Sequence, residues 1–275
     1  MPADQSHNEG FFGERAASVY DQRAADMFDP AVVTPVVQIL ADLAGQGGAL
    51  EFGIGTGRIA LPLAERGARV AGIDNSEAMV ARLRAKPGGE DIEVAIGDFA
   101  RTRVGGEFSL VYLVFNTIFN LVTQDEQVAC FENAAAHLRS GGRFVIETGV
   151  PDLQNLPVGQ TIIPFRADPE GIGFDVYDVV TQRFSSQHDV FAEGRVETYP
   201  VEFRYVWPSE LDLMARLAGL TLQDRWAGWQ REPFTSLSRA RGCRITLGPM
   251  ERVGGPWLAG GCCTRFGGLA DSAGI

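Results

Sequence analysis

Residues 51–57 read EFGIGTG and run straight into Arg58. The alternating glycines Gly53, Gly55 and Gly57 make a turn whose backbone can take positive φ and approach a ligand with no Cβ in the way. A following apolar run, RVAGID, ends on Asp74, with Asn75 next. A carboxylate at that point can accept hydrogen bonds from both hydroxyls of a ribose, so the two features together describe a nucleoside site. The spacing narrows the ligand further. A dinucleotide fingerprint needs G-x-G-x-x-G, with the third glycine serving helix–strand packing, and here that place is Arg58. Glu51, just before the first glycine, would repel a pyrophosphate. It suits a ligand carrying positive charge, by direct contact or by organising the loop.

These residues need a strand–turn–helix–strand frame. ALEFG reads as a strand, RIALPLAERG as a helix closed by Gly67, and RVAGID as a second strand. NSEAMVARLRAK reads as a helix capped by Asn75 or Ser76 and stopped at Pro87-Gly88-Gly89. IEVAIGD and FSLVYLVF supply two more strands. A helix over Gln124 to Leu138 and a Gly141-Gly142 turn precede a fifth, RFVIET. Alternation of helices with near-continuous apolar strands predicts a parallel sheet covered on both faces.

From Val150 to Pro208 helical periodicity gives way to β-rich segments, TIIPF, FDVYDVVTQRF, HDVFA and VETYPVEFRYVW, divided by turn residues. SELDLMARLAGL, with Ser209 as N-cap, and LTLQDRWAGW return the chain to the main sheet. The expected fold class is α/β, a doubly wound Rossmann-like sheet with an inserted antiparallel β subdomain. The expected limits are a lead-in and lid helix over 1–30, a ligand-binding α/β core over 31–149 and a substrate-covering insertion over 150–208. The return helix and closing strands then occupy 209–248, and a disordered tail 249–275.

At this point the chain resembles the class I S-adenosylmethionine (SAM)-dependent methyltransferases, whose first motif is E/D-x-G-x-G-x-G. EFGIGTG matches every fixed position. Further matches follow in order: GID ends at Asp74, where the family holds the ribose. IGDF places Asp98 and Phe99 where it binds adenine, and VFNTIFNL sets Asn116 where it often faces the methyl group. HLRSGGRFVIE matches its approach to the fifth strand. The resemblance covers residues 15–149 and 209–229. RYVWPSELDLMARLAGL followed by GWQREPFTSLSR is similar to a group of actinobacterial small-molecule methyltransferases. In that group a strand rich in His, Ser and Val follows, whereas this chain continues into a Gly/Cys-rich stretch. The mismatch suggests a frame-shifted or replaced terminus, in which CRITL still supplies a seventh strand with Cys243, Ile245 and Leu247 on one face.

The resemblance implies SAM as cofactor. The candidate cofactor contacts are Glu51, Gly53, Gly55, Thr56, Gly57, Arg58, Asp74, Asn75, Asp98, Phe99 and Phe115. Because the sulfonium activates the methyl group, the protein's main task is to position the acceptor, and a base is optional for an amine that arrives neutral. The catalytic candidates are Tyr20 on a lid helix, Asn116, and His188 on the insertion. His7 falls in the lead-in, and His137 reads as a helix-end residue that complements the dipole. Trp207, Trp226, Trp229, Tyr177 and Phe115 suit either an aromatic acceptor pocket or the core, and Asp175, Asp178 and Asp189 a solvated face. The expected reaction moves a methyl group to N or O of a small molecule, releasing S-adenosylhomocysteine (SAH). An amino sugar, a peptide terminus or another secondary metabolite would serve as acceptor. Two rival readings are a non-catalytic SAM- or SAH-binding partner protein and an NAD-dependent oxidoreductase on the same fold.

The formal net charge is −11, which argues against nucleic acid or an anionic membrane surface as partner. No apolar run approaches the ~20 residues of a membrane span, and the N-terminus lacks the pattern of a secretory leader. The four cysteines make no CxxC, and no metal site is expected. A reducing, cytoplasmic setting follows as the expectation. Oligomeric state is left open, a homodimer included.

Overall fold

The apolar runs of the first half become strands buried on both faces, because helices cover each side of the sheet. β1 (Gly48–Phe52) and β4 (Phe108–Leu113) are buried along their whole length, and β2 (Arg69–Asp74) beyond its first residue. The computed structural model describes residues 13–151, 153, 156–192, 195–235, 238 and 243–249. The expectations for the lead-in before residue 13, His7 included, and for the tail from residue 250 fall outside these residues.

Around those strands stand α1 (Glu14–Arg23), α2 (Pro30–Ala44), α3 (Ala60–Glu65), α4 (Glu77–Arg84) and α5 (Gln124–His137), with β3 (Glu93–Ile96) and β5 (Leu138–Thr148). Four strands, β6 (Ile162–Asp168), β7 (Gly171–Asp178), β8 (Arg183–Ala192) and β9 (Arg195–Arg204), form a second sheet. The chain returns through α6 (Pro208–Leu217), β10 (Leu220–Trp226) and β11 (Cys243–Pro249).

The main sheet has the order β3-β2-β1-β4-β5-β11-β10, parallel except where β11 runs against both β5 and β10. Alternate residues of each strand enter different cores. Leu50 and Phe52 join Phe131 and Phe144 on one side, while Ala49 joins Val37, Leu40 and Leu63 on the other. Strand order reverses between β1 and β4, and such a switch point opens a crevice at the C-terminal ends of the strands. The seventh strand is CRITL, with Cys243, Ile245 and Leu247 fully buried.

Two local expectations are corrected. FDVYDVVTQRF is not one strand: a turn splits it, and its second half fuses with HDVFA into β8. Asp178 makes the turn by accepting from the Val180 amide (2.9 Å) and the Thr181 hydroxyl (2.6 Å), and Gln182 takes φ 57°. The return helix starts at Pro208, not after Ser209. Proline's fixed φ suits the first helical position and its missing N–H costs nothing there.

No helix among the described residues is long and apolar enough to cross a membrane. The second sheet meets the main fold through Phe184, edge-on to Phe119 at 5.8 Å, with Tyr177 stacked on Phe184 within the sheet at 5.0 Å.

Candidate active site

At the end of β1 the three glycines take φ of 69°, 55° and 82° at Gly53, Gly55 and Gly57, a region side chains disfavour. Two of them have distinct reasons. A Cβ on Gly57 would lie 2.1 Å from Leu83 Cδ1, so glycine there lets the loop press onto α4. Over Gly55 such a carbon would meet no heavy atom within 4 Å, so this turn faces open space. Asp74 at the end of β2 accepts from the amides of Gly55 (2.7 Å) and Ser76 (2.8 Å). Burial pushes its carboxyl up, while the amides of Ser76, Gly55 and Asn75 pull it down. Asn75 is exposed beside it. After β3, Asp98 accepts from the Ala100 amide (2.8 Å), and the Phe99 ring lies 6.0 Å from Phe52.

The loop is covered by α1. Thr56 donates its hydroxyl to Asp21 (2.6 Å), and Lys86 bridges Asp21 (2.5 Å) and the Thr56 carbonyl (2.8 Å). Tyr20 stands beside this latch, its phenol pushed up by burial and by the nearby Asp21, Asp74 and Glu51, against the pull of Arg58. Arg58 donates to the Met27 carbonyl (3.2 Å) and lies 4.3 Å over the Phe115 ring. Sequence reasoning missed Asp21 and Lys86. The one available signal was an acid adjoining Tyr20 on the lid helix.

Glu51 is buried within the sheet and faces β4, where the Tyr112 hydroxyl donates to it at 2.9 Å. Burial pushes its carboxyl up to about 8, against the pull of Tyr112 and Arg58. Its contacts with Tyr112 and the Ala60 amide belong to the loop's frame. The folded protein keeps this proton up to about pH 8, whereas the unfolded chain releases it near 4.5. Stability from this group is therefore complete below pH 4.5 and is lost as pH rises through 8, by roughly 3–5 kcal/mol. Glu51→Gln, neutral throughout, flattens this part of the stability-against-pH curve relative to wild type. Parallel curves measured by denaturant unfolding would contradict the assignment.

At the end of β4, Phe115 and Asn116 take φ of 61° and 59°. Beside them is a cavity of about 240 Å³ lined by Arg58, Phe115, Asn116, Glu147, Gly149, Trp229 and Arg244, with Met27, Val32 and Val36 on its α2 side. The structure thus brings together the glycine loop, Asp74, Arg58, Phe115, Asn116 and Tyr20.

His188 stands elsewhere. Its contacts with Phe165 (5.2 Å between ring centres), Ser186 (3.3 Å) and the field of Asp175 all lie within the four-stranded sheet. His137 accepts the Val104 amide at Nε2 (3.0 Å) and so carries its proton on Nδ1, which donates to the Asn133 carbonyl (2.8 Å). That is a structural role. Of the aromatic candidates, Phe115 and Trp229 line the cavity. Tyr177 joins the ring cluster of Phe184 and Tyr205, and Trp207 packs edge-on against Tyr205. Trp226 is buried at the end of β10. Among the described residues no group of three or more His, Cys, Asp or Glu could hold a metal ion.

Residues 49–142 match the family model described as a methyltransferase domain. An uncharacterized methyltransferase of Geobacillus kaustophilus is 30% identical over 72% of this chain and 90% of its own length. The structure of the CcbJ methyltransferase from Streptomyces caelestis superposes with a TM-score of 0.77 at 34% identity, over 90% of this chain and 99% of that one. The chain belongs to the SAM-dependent methyltransferases. The cypemycin N-terminal methyltransferase of a Streptomyces species is 28% identical to it over 81% of this chain and 95% of that protein.

The methyltransferase's own residues fit SAM. The face over Gly55 is open to a ligand, and Asp74, one hydrogen bond from that backbone, would accept from the ribose. When bound, SAM supplies a methyl group already activated by its sulfonium. Asp98 and Phe99 would hold the adenine end, and Arg58, a cation beside the loop, the carboxylate end.

Proposed function

We propose that the methyltransferase acts on an amine nitrogen of a small secondary metabolite or of a peptide N-terminus. The observation that carries this reading is how Glu147, the one carboxylate among the described residues lining the cavity, is engaged. Glu147 accepts from Arg244 (2.6 Å), the Trp229 indole (2.9 Å) and the Phe115 amide (3.0 Å). Both oxygens of this carboxylate already hold donors, so its lone pairs are committed to the protein and not to an acceptor's proton. An amine that arrives neutral needs no strong base, whereas a hydroxyl acceptor does. The Streptomyces relative, named for N-terminal methylation of cypemycin, points the same way.

In this reading Arg58, the glycine loop and Asp74 hold the cofactor. Asn116 and Tyr20 border the point of transfer, and the insertion (150–208) covers the acceptor. The protein works in the cytoplasm. The amine loses one proton as its nitrogen gains the methyl group.

The pH dependence of kcat/KM for a series of amines tests this. The midpoint of the profile is expected to move with the acidity of each acceptor's ammonium ion. A midpoint that stays put across the series would assign the titration to a base on the protein and sink the reading.

A further inference from the structure

We infer that Glu147 is a positioning residue, a clamp that holds the left-handed Phe115–Asn116 turn against the transfer cavity. The argument begins with the turn. Asparagine tolerates positive φ, but a phenylalanine Cβ is crowded against its own backbone there. Two such residues in succession, at φ 61° and 59°, persist only where their surroundings hold them.

The hold comes from the end of β5. Glu147 grips both residues, its carboxylate accepting the Phe115 amide (3.0 Å) and its backbone carbonyl the Asn116 amide (3.2 Å). The Gly149 amide donates to the Asn116 side-chain oxygen. That bond fixes the amide's orientation, with the Nδ2 hydrogens as the side-chain donors Asn116 has to offer a bound molecule.

The clamp is itself anchored. Trp229 and Arg244 donate to the other carboxylate oxygen, and Arg244 also donates to the Ala227 carbonyl (2.7 Å). Arg244 on β11 stands directly opposite Glu147 in the strand register. The pair's side chains are only 10% and 15% exposed, so water screens it little. The last described strand therefore reaches the transfer site through one carboxylate. The turn also carries the ring under Arg58, so its position bears on the cofactor loop as well.

The test is a cycle of Glu147→Gln, Phe115→Gly and the double variant, with Trp229→Phe as a milder cut that removes one bond to the carboxylate. Two readouts need no acceptor. With SAH bound, amide hydrogen exchange at Phe115 is expected to rise about 10-fold or more in Glu147→Gln, with β1 unchanged. SAM affinity, by calorimetry, is expected to fall less in the double variant than the two single losses multiplied, because glycine keeps positive φ without a clamp.

The third readout is turnover, and it rests on the amine-transfer reading. Misplacement of the turn is expected to lower kcat by up to about 100-fold in Glu147→Gln, and by less in Trp229→Phe. Unchanged exchange at Phe115, or losses that simply multiply, would overturn the clamp. If the wild type methylates no amine, the functional reading fails, while the exchange and affinity measurements still judge the clamp.

Discussion

Asp74→Asn weakens SAM binding about 100-fold while leaving the protein folded. The carboxylate has about four acceptor positions, and the amides of Gly55, Ser76 and Asn75 already point at it. The remaining capacity is what a ribose hydroxyl would use. Asparagine turns half of that acceptor into a donor, which faces either the loop amides or the ribose. Each hydrogen bond to a charged group contributes roughly 1.5–3 kcal/mol. Loss of one such bond, about 2.8 kcal/mol, gives the two orders of magnitude. Calorimetric titration with SAM and with SAH reads the loss, and the thermal midpoint of the unliganded variant reports the fold. A change in affinity below about threefold, with the fold intact, would remove Asp74 from the cofactor site.

The second large effect is on stability and lies where the inserted sheet meets the main fold. Arg204 ends β9 with a side chain only 6% exposed, paired with Glu210 at 2.7 Å, where exposure is 12%. It also donates to the Gln127 side-chain oxygen. Gln127 returns bonds to the carbonyls of Arg204, Ile118 and Leu121, while Gln182 and Gln124 donate to Glu210. Burial alone would raise the Glu210 carboxyl, but these donors leave it lowered. Arg204→Ala leaves a buried carboxylate without its counter-ion, which costs about 3–5 kcal/mol. Urea unfolding should show that loss as a lower midpoint. The network's contribution is present above the ordinary carboxylate range and is lost as pH falls through the lowered folded value. The difference between wild type and Arg204→Ala should therefore shrink in acid. A destabilisation under about 1 kcal/mol would mean that the ring contacts alone dock the sheet.

The glycine loop and its facing acid were legible as structure because they are local. Glycines at alternate positions and an acid closing the next strand are set by a single β–α–β unit, in which Gly55 and Asp74 lie one hydrogen bond apart. Glu51 was legible as a residue and ambiguous as a role. Only the register of β1 on β4 sets it opposite Tyr112. The Glu147–Arg244 pair joins residues 97 apart, through an antiparallel pairing that no local pattern announces. The Asp21–Lys86 latch likewise depends on how α1 lies across the loop. In the insertion, Val179 and Val180 extend an apolar run through what is in fact a turn, so alternation hid the hairpin. Asp178 and Thr181 were the cues. His188 was singled out for its residue type, and its contacts in the four-stranded sheet come from strand pairing.

The most direct measurement of the central claim uses SAM labelled with carbon-13 in its methyl group. The protein is offered amines, amino sugars and short peptides with a free N-terminus among them, each matched with its hydroxyl analogue. NMR locates the label and SAH is quantified alongside. The account predicts label on nitrogen, one SAH for each methyl group transferred, and no transfer to the hydroxyl partner. Label on oxygen, or SAH release with no methylated amine, would contradict it.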